Sequence, residues 1–194
     1  MSSAASSTFD VVVEGGGNAG FSAAHAAAER GRRVLLLERG VSGMEGGNSF
    51  YTAGATRITH GGLDDLRDLV EPDGRHGVTD VPPYTAQEYL ADLVKVTEGR
   101  TDRAMAGVLV HEAQEAVRWL HGLGLRYRLM YERQAYERAD GSYVFWGGLH
   151  VGNVGGGEGL IADHTAVAAG LGVEIRYGAR ATDLMTDGGR VTVG

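Results

Sequence analysis

Three glycines and one carboxylate carry the most specific chemistry in the chain. Gly15-x-Gly17-x-x-Gly20 follows an apolar run at residues 9–14 and opens the small-residue segment "NAGFSAAHAAAERG". Glu38 ends the next apolar run, "RVLLLE", 18 residues beyond Gly20. In a strand–turn–helix, Gly15 permits the sharp turn, Gly17 lets backbone approach a diphosphate, and Gly20 lets helix and strand pack closely. The helix N-terminus offers N–H groups and a positive dipole end to the anion, while an acid placed as Glu38 is takes ribose hydroxyls. A glycine fingerprint alone is a weak signal in a chain with 32 Gly. The flanking strand, the helix and the acid make it specific, and together they predict dinucleotide binding by a βαβ unit.

Glu14 runs against that pattern. It closes the first strand, where a buried parallel strand calls for an aliphatic residue. An ionised carboxylate about 4 Å from a diphosphate charge would be repelled by roughly 4 kcal/mol at an effective dielectric near 20. Turned instead to one face of the sheet, it would be desolvated among apolar neighbours. Two readings stand, a substitution that tunes or disables the cofactor site and a tolerated change satisfied by a nearby donor or water; cofactor binding is expected to be impaired, and Glu14→Val is expected to raise both stability and affinity.

The elements needed to position these groups follow from patterning. After the strand at 33–38, residues 40–61 form a Gly-, Ser- and Thr-rich connection longer than the usual βα loop of about 2 to 6 residues. A helical insertion at about 62–123 comes next. Its last helix begins at Thr101 or Asp102 and places Met105, Val108, Leu109, Ala113, Ala116, Val117 and Leu120 on one face, expected to be core. "LRYRLMYERQAYER" and "SYVFW" read as a hairpin turned at Asp140-Gly141. A second glycine-rich loop, 147–159, opens a helix over "LIADHTAVAAGL", followed by the strand "VEIRY" and a hairpin of "ARATDLMT" and "RVTV" around Asp187-Gly188-Gly189.

Composition narrows the classes. A net charge of −7 leaves no basic excess for nucleic acid or anionic membrane. With no cysteine, disulfides, thiolate metal sites and cysteine nucleophiles are excluded. His25, His60, His111, His121 and His164 show no set of three ligands at metal-site spacing and read as solvated or packed, so no metal is expected. Trp119 and Trp146 read as packing residues. No run approaches a membrane span and "MSSAASSTF" has no apolar signal region, so a soluble, cytoplasmic protein is expected.

NAD and FAD proteins share the first fingerprint. "GGNSFYTAGA", residues 46–55, adds paired glycines, an amide and hydroxyls able to lay backbone N–H groups along a flat heteroaromatic ring. An NAD(P)-binding dehydrogenase domain would leave that segment without a task. A third possibility is a catalytically silent nucleotide-binding fragment. The ordered set "VVVEGGGNAG", "VLLLERG", "GGNSFYTAGA", "HVGNVGGGEG" and "GVEIRYGARATDLMTDGGRV" resembles the FAD-binding domain of the fumarate reductase and succinate dehydrogenase flavoprotein family, most of all its tricarballylate dehydrogenase-like members.

The resemblance covers nearly the whole chain and implies a doubly wound, Rossmann-like α/β domain, incomplete, with a helical insertion and β-hairpins. It implies FAD as cofactor, with Gly15, Gly17, Asn18, Ala19 and Gly20 along the diphosphate and Glu38 and Arg39 at the adenosine end. Gly46, Gly47, Asn48 and Ser49 would contact diphosphate and flavin, Ala53 and Gly54 the isoalloxazine, and Ala181 the adenine. His150 lies in the loop resembling the family's His-containing loop near flavin and substrate. A proton donor or carboxylate partner there is the sharper expectation, and a histidine that only bonds backbone is the plainer one. The implied activity interconverts saturated and unsaturated carboxylic acids by hydride transfer with flavin N5. Implied partners are a small carboxylic-acid substrate and an electron-transfer protein. The family's capping domain, its substrate-clamping residues and its last glycine-rich segment have no counterpart in residues 1–194, so the chain reads as an N-terminal portion that does not turn over substrate alone.

Overall fold

The computed structural model describes residues 8–192. In chain order its elements are β1 (Val11–Glu14), α1 (Asn18–Ala28), β2 (Val34–Glu38), β3 (Ala55–Thr56), α2 (Leu63–Leu66), β4 (Thr79–Asp80), α3 (Ala86–Val96), α4 (Arg103–Leu123) and β5 (Tyr127–Leu129). The order continues with α5 (Tyr131–Gln134), β6 (Ala135–Glu137), β7 (Tyr143–Phe145), β8 (Val151–Asn153), α6 (Gly156–Gly170), β9 (Glu174–Tyr177), β10 (Met185–Asp187) and β11 (Arg190–Thr192). These elements form two compact units, one built from the described residues up to Tyr51 and from Ile161 onward, the other from Thr52–Leu160. No helix among the described residues is long and apolar enough to cross a membrane.

The first unit is the expected α/β element. β2 lies between β1 and β9 in a parallel sheet, with Val11 opposite Val34, Glu14 opposite Leu37, and Glu38 opposite Tyr177. Parallel neighbours need crossover connections, and helices supply them. Phe21 and Ala24 of α1 meet Val34 and Leu36 of β2 and Ile161 and Ala168 of α6 in one core, so both helices cover the same face of the sheet. Phe21 and Leu36 are fully buried, each worth about 1.5–3 kcal/mol relative to exposure. Glu14 departs from expectation: it is exposed, while Val11, Val12 and Val13 are half-buried. Among the described strands β1 pairs with β2 alone, so the end of β1 is not enclosed on both sides as a central strand would be. β10 and β11 form the expected hairpin, though "ARATDLMT" becomes strand only from Met185.

The second unit extends beyond the helical insertion expected at about 62–123. α3 begins with a capping box between Thr85 and Glu88, and α4 is capped by Asp102, which accepts the N–H groups of Ala104 and Met105. The buried stripe of α4 is Ala106, Val110, Val117 and Leu120. Met105 and Val108 are mostly exposed and Leu109 half-exposed, which corrects the expected face. That face was placed one residue out of phase in the first turns, where positions 106 and 110, not 105 and 109, continue the period of 117 and 120.

Two small sheets complete this unit, in the orders β3-β8-β5 and β4-β7-β6. The expected hairpin exists only as β6 and β7, with Ala135 opposite Phe145. Residues 127–134 instead form β5, which pairs antiparallel with β8, and the short helix α5. Met130 and Tyr131 are buried at that junction, and burying them outweighs extending the hairpin. β8 itself, "VGN", lies inside the segment read as a glycine loop and is buried throughout.

Candidate cofactor-binding site

The first unit carries a cavity of about 530 Å³ lined by residues 14–17, 37–39, 46–49 and 179–181. Its floor is the turn from β1 into α1. Gly15 sits at φ +92°, a conformation only glycine adopts without strain. Its N–H donates to the Leu37 carbonyl at 2.8 Å, holding the turn against β2. A Cβ on Gly20 would collide with the Gly15 carbonyl oxygen, so the close packing expected of Gly20 is a contact between the first turn of α1 and the loop itself. Gly17 is the N-cap of α1 and brings no side-chain cap. The first N–H groups of a helix have no intrahelical acceptor, so this end is open to an anion.

Glu38 ties the second wall to the floor. Its Oε2 accepts the Gly16 N–H at 2.7 Å and its Oε1 accepts the Gly40 N–H. A Cβ on Gly16 would lie 2.9 Å from that Oε2. Gly16 is therefore a position where a side chain would displace Glu38, a constraint that the x of the fingerprint concealed. The third wall is the turn at Gly47–Ser49, entered through Gly46 at φ +92°. Ser49 Oγ accepts the Asn18 N–H at 3.1 Å, which joins the second glycine segment to the first turn of α1. The fourth wall follows β9. Gly178 and Ala179 donate to the carbonyls of Gly40 and Glu38, and Ala179, Arg180 and Ala181 reach the cavity. Arg180, which the motifs did not single out, lines the cavity together with Arg39.

Gly15, Gly17, Glu38, Arg39, Gly46, Gly47, Asn48, Ser49 and Ala181 are thus gathered around one cavity, with Asn18, Ala19 and Gly20 in the adjoining first turn of α1. Ala53 and Gly54 belong to the second unit. There Gly54, at φ +68°, donates to Thr52 Oγ1 and accepts from the Asn153 N–H, and a Cβ on it would lie 2.7 Å from the Gly156 carbonyl carbon. The close approach at Gly54 is to the chain's own backbone.

His150, also in the second unit, is 1% exposed. The Gly62 N–H donates to His60 Nδ1 at 3.2 Å, which leaves His60 Nε2 as the protonated nitrogen, 2.9 Å from His150 Nδ1. His150 Nε2 then faces the Trp146 carbonyl at 3.3 Å. Both of its nitrogens are occupied, and it lines neither the cavity above nor the one around Arg57 and Trp146. Burial lowers the pKa of both rings, His60 to about 4 with help from the neighbouring His150. His150 is thus held between the His60 ring and the Trp146 carbonyl. Among the described residues no group of three His, Asp or Glu side chains is arranged to hold a metal.

The site fits a dinucleotide. Added Cβ atoms at Gly15 and Gly47 would meet nothing within 4 Å, so both face open space, while the loop around them is fixed by Leu37, Glu38 and Ser49. An uncapped helix end, the Arg39 and Arg180 side chains and a carboxylate at the end of β2 meet around the cavity, groups of the kinds that suit phosphates and ribose hydroxyls.

Comparison with known proteins agrees. The family model described as FAD binding domain matches residues 10–194. A fumarate reductase (cytochrome) of Shewanella frigidimarina is 30% identical over 124 residues, which cover 64% of this chain and 19% of that protein. A urocanate reductase of Eggerthella lenta is 28% identical over 188 residues, 95% of this chain and 27% of that protein. The chain thus spans less than a third of the length of these relatives. Among solved structures, the open conformation of a flavocytochrome c3 fumarate reductase matches 95% of this chain and 29% of its own with TM-score 0.65 at 24% identity. A 3-ketosteroid-Δ4-(5α)-dehydrogenase from Rhodococcus jostii RHA1 covers 94% of this chain and 40% of its own, with TM-score 0.67 at 23% identity. At those identities the structural likeness concerns the fold. With the glycine loop, Glu38 and the Ser49 contact in place, and with the family model spanning both units, the chain belongs to the FAD binding domain family and its cofactor is FAD.

Proposed function

We propose that this chain is the FAD-holding part of an oxidoreductase that interconverts saturated and unsaturated carboxylic acids, with tricarballylate-like polycarboxylates within its substrate range. The observation that carries the reading is the Ser49 Oγ to Asn18 N–H bond, which closes the second glycine segment onto the diphosphate-type loop. A mononucleotide or NAD site would leave that segment unused. Relatives named for reducing fumarate and urocanate, both unsaturated carboxylates, support the substrate class.

In this reading Gly15, Gly17, Asn18, Ala19 and Gly20 hold the diphosphate, Glu38 and Arg39 hold the adenosine ribose, and Ala181 lies along adenine. Gly46, Gly47, Asn48 and Ser49 continue the cradle toward the ring system, and Ala53 and Gly54 serve the isoalloxazine. Arg180 adds positive charge to the diphosphate wall. Bound FAD supplies two-electron redox chemistry. The chain's own residues bind and orient it, and Glu38 fixes loop and ribose positions together. The residues that clamp substrate carboxylates and move the substrate proton lie, in this proposal, in the part of the relatives' length that this chain does not span. An electron-transfer protein is the proposed redox partner.

Titrating the purified chain with FAD and with NAD, followed by flavin absorbance and fluorescence, tests the cofactor side. Saturable FAD binding with much weaker NAD binding is expected, and NAD binding without FAD binding overturns the reading. Assaying a longer form that contains this chain, with fumarate, urocanate and tricarballylate and a redox dye, tests the substrate side. Turnover confined to substrates without a carboxylate overturns it.

A further inference from the structure

We propose that His25 and His164 form a buried hydrogen-bond relay that orients the Asn18 carboxamide, so that its N–H2 is presented as a donor to a phosphate oxygen of the bound dinucleotide. This rests on the FAD site proposed above. His25 and His164 are fully buried in the core between α1 and α6. His25 Nε2 lies 3.0 Å from His164 Nδ1, and His164 Nε2 lies 2.8 Å from Asn18 Oδ1. Phe21 stacks on the His164 ring, with centroids 5.1 Å apart and planes 7° from parallel, and fixes its orientation.

The relay has two conceivable polarities, and one buried atom decides between them. His25 Nδ1 is buried without a hydrogen-bond partner. If Asn18 turned its N–H2 inward, each ring would donate in the opposite sense and His25 would carry its proton on Nδ1, leaving an N–H donor buried with no acceptor. With Asn18 Oδ1 inward, both rings carry their proton on Nε2 and the orphan atom is a bare lone pair. Orphaned buried donors are rarer than under-satisfied acceptors, so the second polarity holds. The carboxamide is thereby locked with Oδ1 toward His164 and Nδ2 outward.

Asn18 is itself exposed, in the first turn of α1, and its backbone N–H is held by Ser49 Oγ. Gly17 supplies no side-chain cap to this helix end. The outward amide therefore adds a neutral, fixed donor to a helix terminus already suited to an anion. Two N–H groups would meet head to head between the rings if both were charged, and the tautomers assigned above are those of two neutral rings. Burial favours that state in both, and His164 is held at about 4 by burial and by His25. The charged groups acting against it are Glu29, which caps the C-terminus of α1, and Asp163 on α6.

Two measurements on the full chain test the proposal. Imidazole 15N–1H correlation spectra of the FAD-free protein near neutral pH should show His25 and His164 both protonated on Nε2. Protonation of His164 on Nδ1 overturns the relay whether or not FAD binds. FAD titration of His164→Leu, Asn18→Ala and the double variant should then show a loss on the order of fivefold for His164→Leu, the worth of one hydrogen bond. That loss should vanish in the Asn18→Ala background, and His164→Gln, which keeps a donor, should bind within about twofold of the parent. Additive losses would mean that His164 only supports the fold and would overturn the positioning role. If the parent chain binds no FAD, the FAD reading fails, and the tautomers still decide the relay.

Discussion

The Glu38 carboxylate accepts the Gly16 backbone N–H at 2.7 Å from 22 positions along the chain. The end of β2 is thereby fastened to the loop that leaves β1, while the other carboxylate oxygen holds Gly40. An ionised carboxylate has about four lone-pair sites, so both oxygens can still receive a ribose hydroxyl. The residue expected from its spacing to be a ribose ligand is also the clamp that shapes the glycine loop after β1. Glu38→Gln replaces one acceptor by a donor that must face a backbone N–H. It should lower unfolding free energy by about 1–3 kcal/mol and weaken FAD binding as well. Urea unfolding and FAD titration of the same variant check this; weakened FAD binding at unchanged stability would leave only the ribose role.

Glycine substitutions separate a required close approach from mere abundance. A Cβ on Gly20 would strike the Gly15 carbonyl oxygen, whereas Cβ atoms on Gly107 and Gly122, inside α4, would meet nothing within 4 Å. Gly20→Ala should therefore destabilise the first unit by at least about 2 kcal/mol, as backbone must shift to admit the methyl group. Gly107→Ala should stabilise by about 0.5–1 kcal/mol through lost unfolded-state entropy. Thermal melts of the two variants should move in opposite directions, and a shared direction would refute the assignment.

What the sequence made legible was local and periodic. The βαβ unit could be read because a parallel strand, a fingerprint and an acid each imposed its own residue types, from Val11 to Glu38. The 'DGG' turn was equally direct. Gly16 was hidden because its partner, Glu38 Oε2, is brought to it only by the β1–β2 register. Arg180 was hidden because its place beside Arg39 depends on β9 pairing with β2. The division of residues 125–146 between β5, α5 and a shorter hairpin depended on burying Met130 and Tyr131, a tertiary effect with no period of its own. The phase of the α4 stripe failed for a related reason: several of its apolar residues are exposed, so hydrophobicity alone did not mark the buried face.

The His60–His150 pair makes the second unit sensitive to acid. Burial places the folded-state pKa of each ring below the ordinary value of 6.5, with His60 near 4. At His150 the Trp146 and Gly147 backbone hydrogen bonds oppose that shift and Arg57 adds to it, while Asp65 opposes it at His60. The unfolded chain therefore binds more protons than the folded one between those values. The stabilising contribution is complete above the unfolded pKa and is lost as pH falls toward the folded one. The urea midpoint should drop between about pH 7.5 and about pH 5, a range above the ordinary carboxylate values. His60→Asn should reduce the slope in part, since His25 and His164 are lowered in the same direction and keep their share, while lowering stability near neutrality. An equally steep dependence in the variant would assign it elsewhere.

Glu14 is exposed and lines the cavity proposed to hold the cofactor. Desolvation therefore does not burden it, and the stability gain expected from Glu14→Val is replaced by a change within about 0.5 kcal/mol, as for other surface positions. The electrostatic expectation survives on geometry, because residues 14–17 line the same cavity and Glu14 directly precedes the diphosphate-type turn. Two unit charges about 4 Å apart interact by roughly 1 kcal/mol in bulk water and roughly 4 kcal/mol at an effective dielectric of 20. An exposed position lies toward the weaker limit, so Glu14→Gln should strengthen FAD binding by about fivefold at low ionic strength. Arg39 and Arg180 at the same cavity offset part of the repulsion in the parent chain. Because salt screens exposed charges over about 10 Å at 0.1 M and about 3 Å at 1 M, the gain should shrink as salt is added, and Glu14→Val should show the same trend. FAD titrations of parent and variants across a salt series measure both effects. A Glu14→Gln variant that binds FAD more weakly than the parent would show instead that the carboxylate accepts a hydrogen bond from the cofactor.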